Sequence, residues 1–188
     1  MAFFGLLRRS RHERLAFELY GHAVGAARAP MLYADLGVPD TLDGRFDMVS
    51  VHVFLLIRRL RALPPPGPAV AQAVFDAMFN DMDVTLREMG VGDLGVGKRV
   101  KLMWEGFHGR SAAYQAALDQ ADRAALASAL ARNVWRDPVV TPGAERLAAL
   151  VEAWDAHLAR LDAATLLAGR VAFPPAPAAL PEPARLPA

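Results

Sequence analysis

The sequence predicts an all-α protein, a single compact domain of about six or seven helices with a buried central helix. Three observations carry that expectation. Apolar residues recur at three- and four-residue spacing through most of the 188 residues. No segment alternates apolar and polar side chains with the period of a half-buried strand. Pro30, Pro39, Pro64, Gly90, Pro138 and Pro142 cut the chain into pieces of helical length. With 54% hydrophobic and 22% charged residues, the composition is that of a globular chain able to close a core.

The chain begins with an apolar run, Ala2 to Leu7, followed by Arg8, Arg9, Arg11 and Arg14, the reverse of a secretory signal. Residues 1–12 are expected to form an N-terminal segment suited to an anionic membrane surface, with Phe3, Phe4, Leu6 and Leu7 inserted and the guanidinium groups near phosphates. The plainer alternative is a terminus folded onto the body. A helical domain is expected over residues 13–170, and residues 171–188, mostly proline and alanine from Pro174 onward, read as a disordered tail.

Within the domain, Leu15, Leu19 and Val24, with Phe17 and Tyr20 beside them, predict a helix over residues 13–28. Gly21 and Gly25 weaken it while allowing a neighbouring helix to approach closely. Pro30 and Pro39 make the next segment irregular, and Met31, Leu32, Tyr33, Leu36 and Val38 make it too apolar for a free loop. Phe46, Val49, Val53, Leu56 and Leu60 then recur at helical spacing, while Met48, Val51, Phe54, Leu55 and Ile57 fill the other faces. A helix apolar all round is the buried centre of its domain. Arg58, Arg59 and Arg61 suit its C-terminal dipole. His52 inside it is expected to be hydrogen-bonded to a neighbouring helix, the alternative being a ligand or proton-carrier role.

A helix over residues 68–89 should bury Val74, Phe75, Met78, Phe79, Met82, Leu86 and Met89 and present a polar stripe containing Asp83 and Arg87, spaced for an ion pair. Asp81 sits at the rim of the apolar arc. It points away from Asp83, so the two do not make a metal pair. Gly90 suits a C-terminal cap and Asp93 an N-cap. The glycine-rich turn is not a phosphate loop: Gly97-Lys98 is followed by Arg99 rather than Ser or Thr, and it lies between helices.

The following helix places Val96, Val100, Met103, Phe107, Arg110 and Tyr114 on one stripe. A buried arginine requires a partner; the partner expected is Asp81, in a tether across two helices. Gly106 and Gly109 should allow close packing, and Lys98, Arg99 and Lys101 make the strongest basic patch, either a solvated face or a binding surface. Further on, residues 122–132 read as a helix with Trp135 anchoring its exit. Thr141-Pro142 reads as a helix opening. Leu147, Leu150, Val151, Trp154, Leu158 and Leu161 form an inward stripe, and Asp162 is placed to cap a short closing helix.

Several function classes are excluded. With no cysteine there are no disulfides, thiolate zinc sites, iron–sulfur ligands or covalent haem attachment. The net charge of +1 argues against DNA as a partner. The five histidines lack ligand spacing, and neither HExxH nor a nucleophile elbow occurs, so no enzyme, metal or cofactor is expected. No apolar run reaches the roughly 20 residues that would span a bilayer. The location expected is the cytoplasm or the inner face of the cytoplasmic membrane.

The order of motifs resembles the ubiquinol–cytochrome c chaperone family, assembly factors of the respiratory cytochrome bc1 complex. Arg-Ala-Pro-Met-Leu-Tyr at 28–33, Gly-Val-Pro-Asp-Thr at 37–41 and Gly-Arg-Phe-Asp-Met at 44–48 with His52 carry it, together with the segment from Asp81-Met82-Asp83 to Gly92-Asp93 and Phe107-His108-Gly109-Arg110. The resemblance implies a non-enzymatic role: binding newly made cytochrome b and holding it for haem acquisition and assembly. It also implies, from the mitochondrial members, a small partner protein and work at the ribosome exit; the basic patch would face ribosomal RNA or an anionic membrane surface. The residues expected to meet a partner are Asp81, Asp83, Lys98, Lys101 and Arg110, with Tyr33, Arg45 and His52 organising the fold around them. The alternative function is a helical small-molecule or lipid-binding module.

Overall fold

In the computed structural model residues 2–175 are described, the first ten of them by backbone only. Their order is α1 (Ala2–Ala27), α2 (Pro30–Ala34), α3 (Leu42–Arg61), α4 (Gly67–Glu88), α5 (Asp93–Asp119), α6 (Arg123–Leu130) running into a π-helical turn (Ala131–Trp135), α7 (Pro142–Arg160) and α8 (Ala163–Leu167). No strand occurs among the described residues. The proposed membrane insertion of Phe3, Phe4, Leu6 and Leu7 and the expected disorder beyond Pro175 lie outside what is described.

α3 is the centre, as its apolar surround predicts. Fourteen of its 20 residues are buried, and it packs against α1, α4, α5, α7 and the π turn. Thr41 caps its start by accepting a hydrogen bond from the Gly44 amide at 3.1 Å. Gly44 is needed there: a Cβ would sit 2.0 Å from the Pro39 carbonyl oxygen. The apolar segment before α3 is packed, with Leu32, Leu36 and Val38 buried, and Trp135 donates to the Gly37 carbonyl at 2.8 Å, tying the exit of α6 to it.

The start of the chain departs from expectation. Helix α1 begins at Ala2, eleven residues before residue 13, and runs unbroken to Ala27. A Cβ at Gly21 or Gly25 would meet nothing within 4 Å, so neither glycine serves a close approach. Gly109 is open in the same way. The irregular segment contains a short helix, α2, opened by Pro30.

Helix ends follow their local chemistry. Gly90 has φ +80°, and the Gly90 and Val91 amides donate to the Arg87 and Leu86 carbonyls at 2.9 and 3.0 Å, closing α4 in a Schellman motif. Asp93 is not the N-cap of α5; Gly92 is, and Asp93 is the first helical residue. Thr141 and Asp162 cap α7 and α8 as expected. After α8 the chain stays on the body to Pro174. Val171 is buried, Phe173 packs its ring edge-on to His52 at 4.8 Å, and Trp154 donates to the Pro174 carbonyl at 3.0 Å. The packed body thus extends beyond residue 170.

Candidate functional site

The eight residues singled out from sequence do not converge on one place. Arg110 is the clearest correction: its partner is Asp47 of α3, not Asp81. Asp47 is 1% exposed, and Arg136, whose backbone is left-handed just after the π turn, brings Nη2 to 2.8 Å from its other carboxylate oxygen without hydrogen-bond alignment. Burial pushes the Asp47 carboxyl above its ordinary range, and the two guanidinium groups oppose that rise. Phe46 adds a ring 5.7 Å from the Arg110 guanidinium carbon. Asp81 instead accepts a 2.6 Å hydrogen bond from the Tyr20 hydroxyl, joining α4 to α1. Burial and that carboxylate both hold the Tyr20 phenol protonated well above the usual range.

His52 is fully buried, and its hydrogen bond is to its own helix rather than to a neighbour. Nδ1 lies 2.8 Å from the Met48 carbonyl; a carbonyl only accepts, so Nδ1 carries the proton. Nε2 has no partner, and the ring lies against Trp154 at 4.6 Å and Phe173 at 4.8 Å. Burial lowers its pKa to about 4 against the weaker opposing effect of the Met48 bond. Tyr33 donates to the Ala27 carbonyl at 2.7 Å, and Arg45 pairs with Asp40 at 2.7 Å; both brace the α1–α3 corner.

The surface group lies elsewhere, on the hairpin of α4 and α5. Asp83 receives Arg87 Nε at 2.6 Å, the predicted pair, and Arg87 also reaches Asp93, bracing the turn. Beyond it, Leu94, Lys98, Lys101 and Leu102 are spaced to share the outward face of α5, opposite Val96 and Phe107. Lys101 has a 3.8 Å contact with Glu105. Of the eight large apolar side chains exposed among the described residues, five lie here: Val84, Met89, Leu94, Leu102 and Trp104, with Leu94 88% exposed. Sequence reading marked none of the five as exposed and assigned Met89 to the buried arc; Met89 is 55% exposed because α4 ends beside it.

Further along α5, Trp104 lies against His108 at 4.0 Å, and His108 meets Phe75 at 5.4 Å. These aromatics border a groove of about 700 Å³ between α3, α4, α5 and α7, with Phe54, Ile57, Phe75 and Phe107 as apolar walls and Arg58, Arg59 and Arg61 along one side. No described helix is long and apolar enough to cross a membrane. An apolar, cation-bearing exposed face beside a groove suits binding of another molecule; no nucleophile with an adjacent base is assembled among the residues described.

Comparison with known proteins fits that geometry. No curated protein sequence matches the chain. The crystal structure of the Cbp3 homolog from Brucella abortus is 39% identical, with a TM-score of 0.81, over 93% of this chain and 97% of that one. Residues 34–173 match the ubiquinol-cytochrome C chaperone family. The match takes in α3, the whole α4–α5 hairpin and the Phe173 strap, and it ends where that strap meets His52. On both findings, the chain belongs to the ubiquinol-cytochrome C chaperone family.

Proposed function

We propose that this protein is a non-enzymatic assembly chaperone of the cytochrome bc1 complex, and that it holds newly made cytochrome b on the outward face of the α4–α5 hairpin. The observation carrying the reading is that Val84, Met89, Leu94, Leu102 and Trp104 are all exposed on this hairpin, with Lys98 and Lys101 on the face of α5 that carries Leu94 and Leu102. A membrane-protein client presents apolar helices before insertion, and an exposed apolar strip buries part of that surface. Met89 adapts its shape to different helices. The cations would favour acidic groups of the client, of ribosomal RNA or of the inner face of the cytoplasmic membrane, where we place the protein peripherally. A small partner protein would have the same hairpin or the α1 side available.

The test is a crosslinked pull-down from cells making the bc1 complex, comparing wild type with a Lys98→Glu, Lys101→Glu variant and a Leu94→Ser, Leu102→Ser variant. All four positions lie outside the core, so both variants should melt as wild type does. Wild type is expected to recover cytochrome b and both variants to lose most of it. Recovery of no bc1 component by the wild type would overturn the reading.

A further inference from the structure

Two side-chain atoms at the groove between α3, α5 and α7 are buried without a hydrogen-bond partner: Arg59 Nε and Ser111 Oγ. Buried donors are rarely left unsatisfied, and a pair of them beside one concavity points to a polar group received there. The charge lining the groove is predominantly positive. Arg58, Arg59 and Arg61 line it, and Asp155 is the sole acid among its lining residues. Asp155 is already engaged by Arg58 at 3.0 Å, and Arg58 is held again by Asp119 at 2.6 Å. Among the described residues Arg59 makes one hydrogen bond, to the Leu161 carbonyl at 2.6 Å, and Arg61 is exposed with no acidic partner. Uncommitted positive charge therefore gathers at Arg59 and Arg61. The rest of the groove is apolar and aromatic, and its volume of about 700 Å³ is that of a small-molecule site.

We propose that this groove is a binding site for one anionic lipid: an acyl chain against Phe54, Phe75 and Phe107, and the acidic headgroup at Arg59, Arg61 and Ser111. This occupancy goes beyond the chaperone role and does not depend on it. Guanidinium groups bind phosphate and carboxylate alike, so the headgroup chemistry is what the experiment resolves.

The test uses the full chain and four probes of matched chain length below their micelle concentrations: a phosphatidylglycerol, a fatty acid, a phosphatidylcholine and a fatty alcohol, followed by native mass spectrometry and tryptophan fluorescence. Two variants accompany wild type, Arg61→Glu and Ala112→Phe. Ala112 is an exposed lining residue, so phenylalanine there obstructs the groove without entering the core. Saturable binding of the phosphatidylglycerol or the fatty acid, at least about tenfold tighter than their uncharged or zwitterionic counterparts and weakened about fivefold or more by each variant, is expected. The tighter of the two acidic probes names the headgroup. Equal binding of acidic and neutral probes, no saturable binding at all, or binding indifferent to Ala112→Phe would each overturn the proposal. None of these results bears on Lys98, Lys101 or the capture of a protein client.

Discussion

At the scale of single residues, two buried polar groups make opposite demands on pH. His52 is neutral when folded, its pKa lowered to about 4 by burial, whereas in the unfolded chain it titrates near its ordinary value. Between those values the unfolded state binds the extra proton. The stability it confers is therefore complete above the unfolded pKa and is lost as pH falls toward the folded one. The loss due to this one ring should reach about 2–3 kcal/mol near pH 4.5. Denaturant titrations of wild type and His52→Phe at neutral and acid pH would show it, the variant losing correspondingly less on acidification. Asp47 has the contrary sign: its carboxyl is raised by burial, so ionising it as pH rises costs stability, and the two arginines offset that cost. Arg110→Leu strands the carboxylate and should cost about 3–5 kcal/mol. Adding Asp47→Leu should restore much of it. Asp81→Leu, by contrast, should be additive with Arg110→Leu, because Asp81 bonds to Tyr20. A double-mutant cycle by chemical denaturation separates the two pairings.

At the scale of elements, glycines show how similar residues serve different helices. Gly21 and Gly25 lie on the exposed side of α1 with open space about them. Gly21→Ala and Gly25→Ala should each raise stability by about 0.5–1 kcal/mol, read as a higher melting temperature. Gly44→Ala should lower it by about 3 kcal/mol, since its Cβ would meet the Pro39 carbonyl oxygen at 2.0 Å. Spacing suggested a close approach at Gly21 and Gly25, whereas the close approach is at Gly44. What separates them is which element crosses the glycine, a fact about α1 and the segment before α3 rather than about either sequence stretch. Caps were far more legible: Thr141 followed by Pro142, and Asp162, act within three residues of themselves. The Asp93 N-cap assignment missed by one position because Gly92 takes the extended conformation required there.

At the scale of the whole molecule, the strap after α8 closes the core. Phe173 covers His52 and Trp154, so the depressed histidine pKa depends on a segment more than a hundred residues away in sequence. Truncation after Arg170 should lower stability by about 2–3 kcal/mol and raise the His52 pKa, followed by the imidazole proton shifts, whereas truncation after Pro175 should leave both near wild type. The α4–α5 hairpin leaves Val84, Met89, Leu94, Leu102 and Trp104 exposed, and the strap after α8 buries Val171 and half-buries Phe173.

Helix identity, most caps, the inward stripes of α3, α5 and α7 and the central place of α3 were all legible in the chain, because each depends on residues within a few positions of one another and on a period of 3.6. The family resemblance was legible for the same reason: its motifs are local and ordered. Even the need of Arg110 for an acid could be read, since a charge in an apolar stripe announces it. Asp47 carried the same signal, an acid aligned with Val51 and Phe54 on an otherwise apolar helix. Choosing Asp47 over Asp81, uncovering Leu94, Leu102 and Trp104, and bringing Arg59 and Ser111 to one groove required the packed fold. Those outcomes depend on which helix faces cover one another, and periodicity describes each face without saying what lies against it.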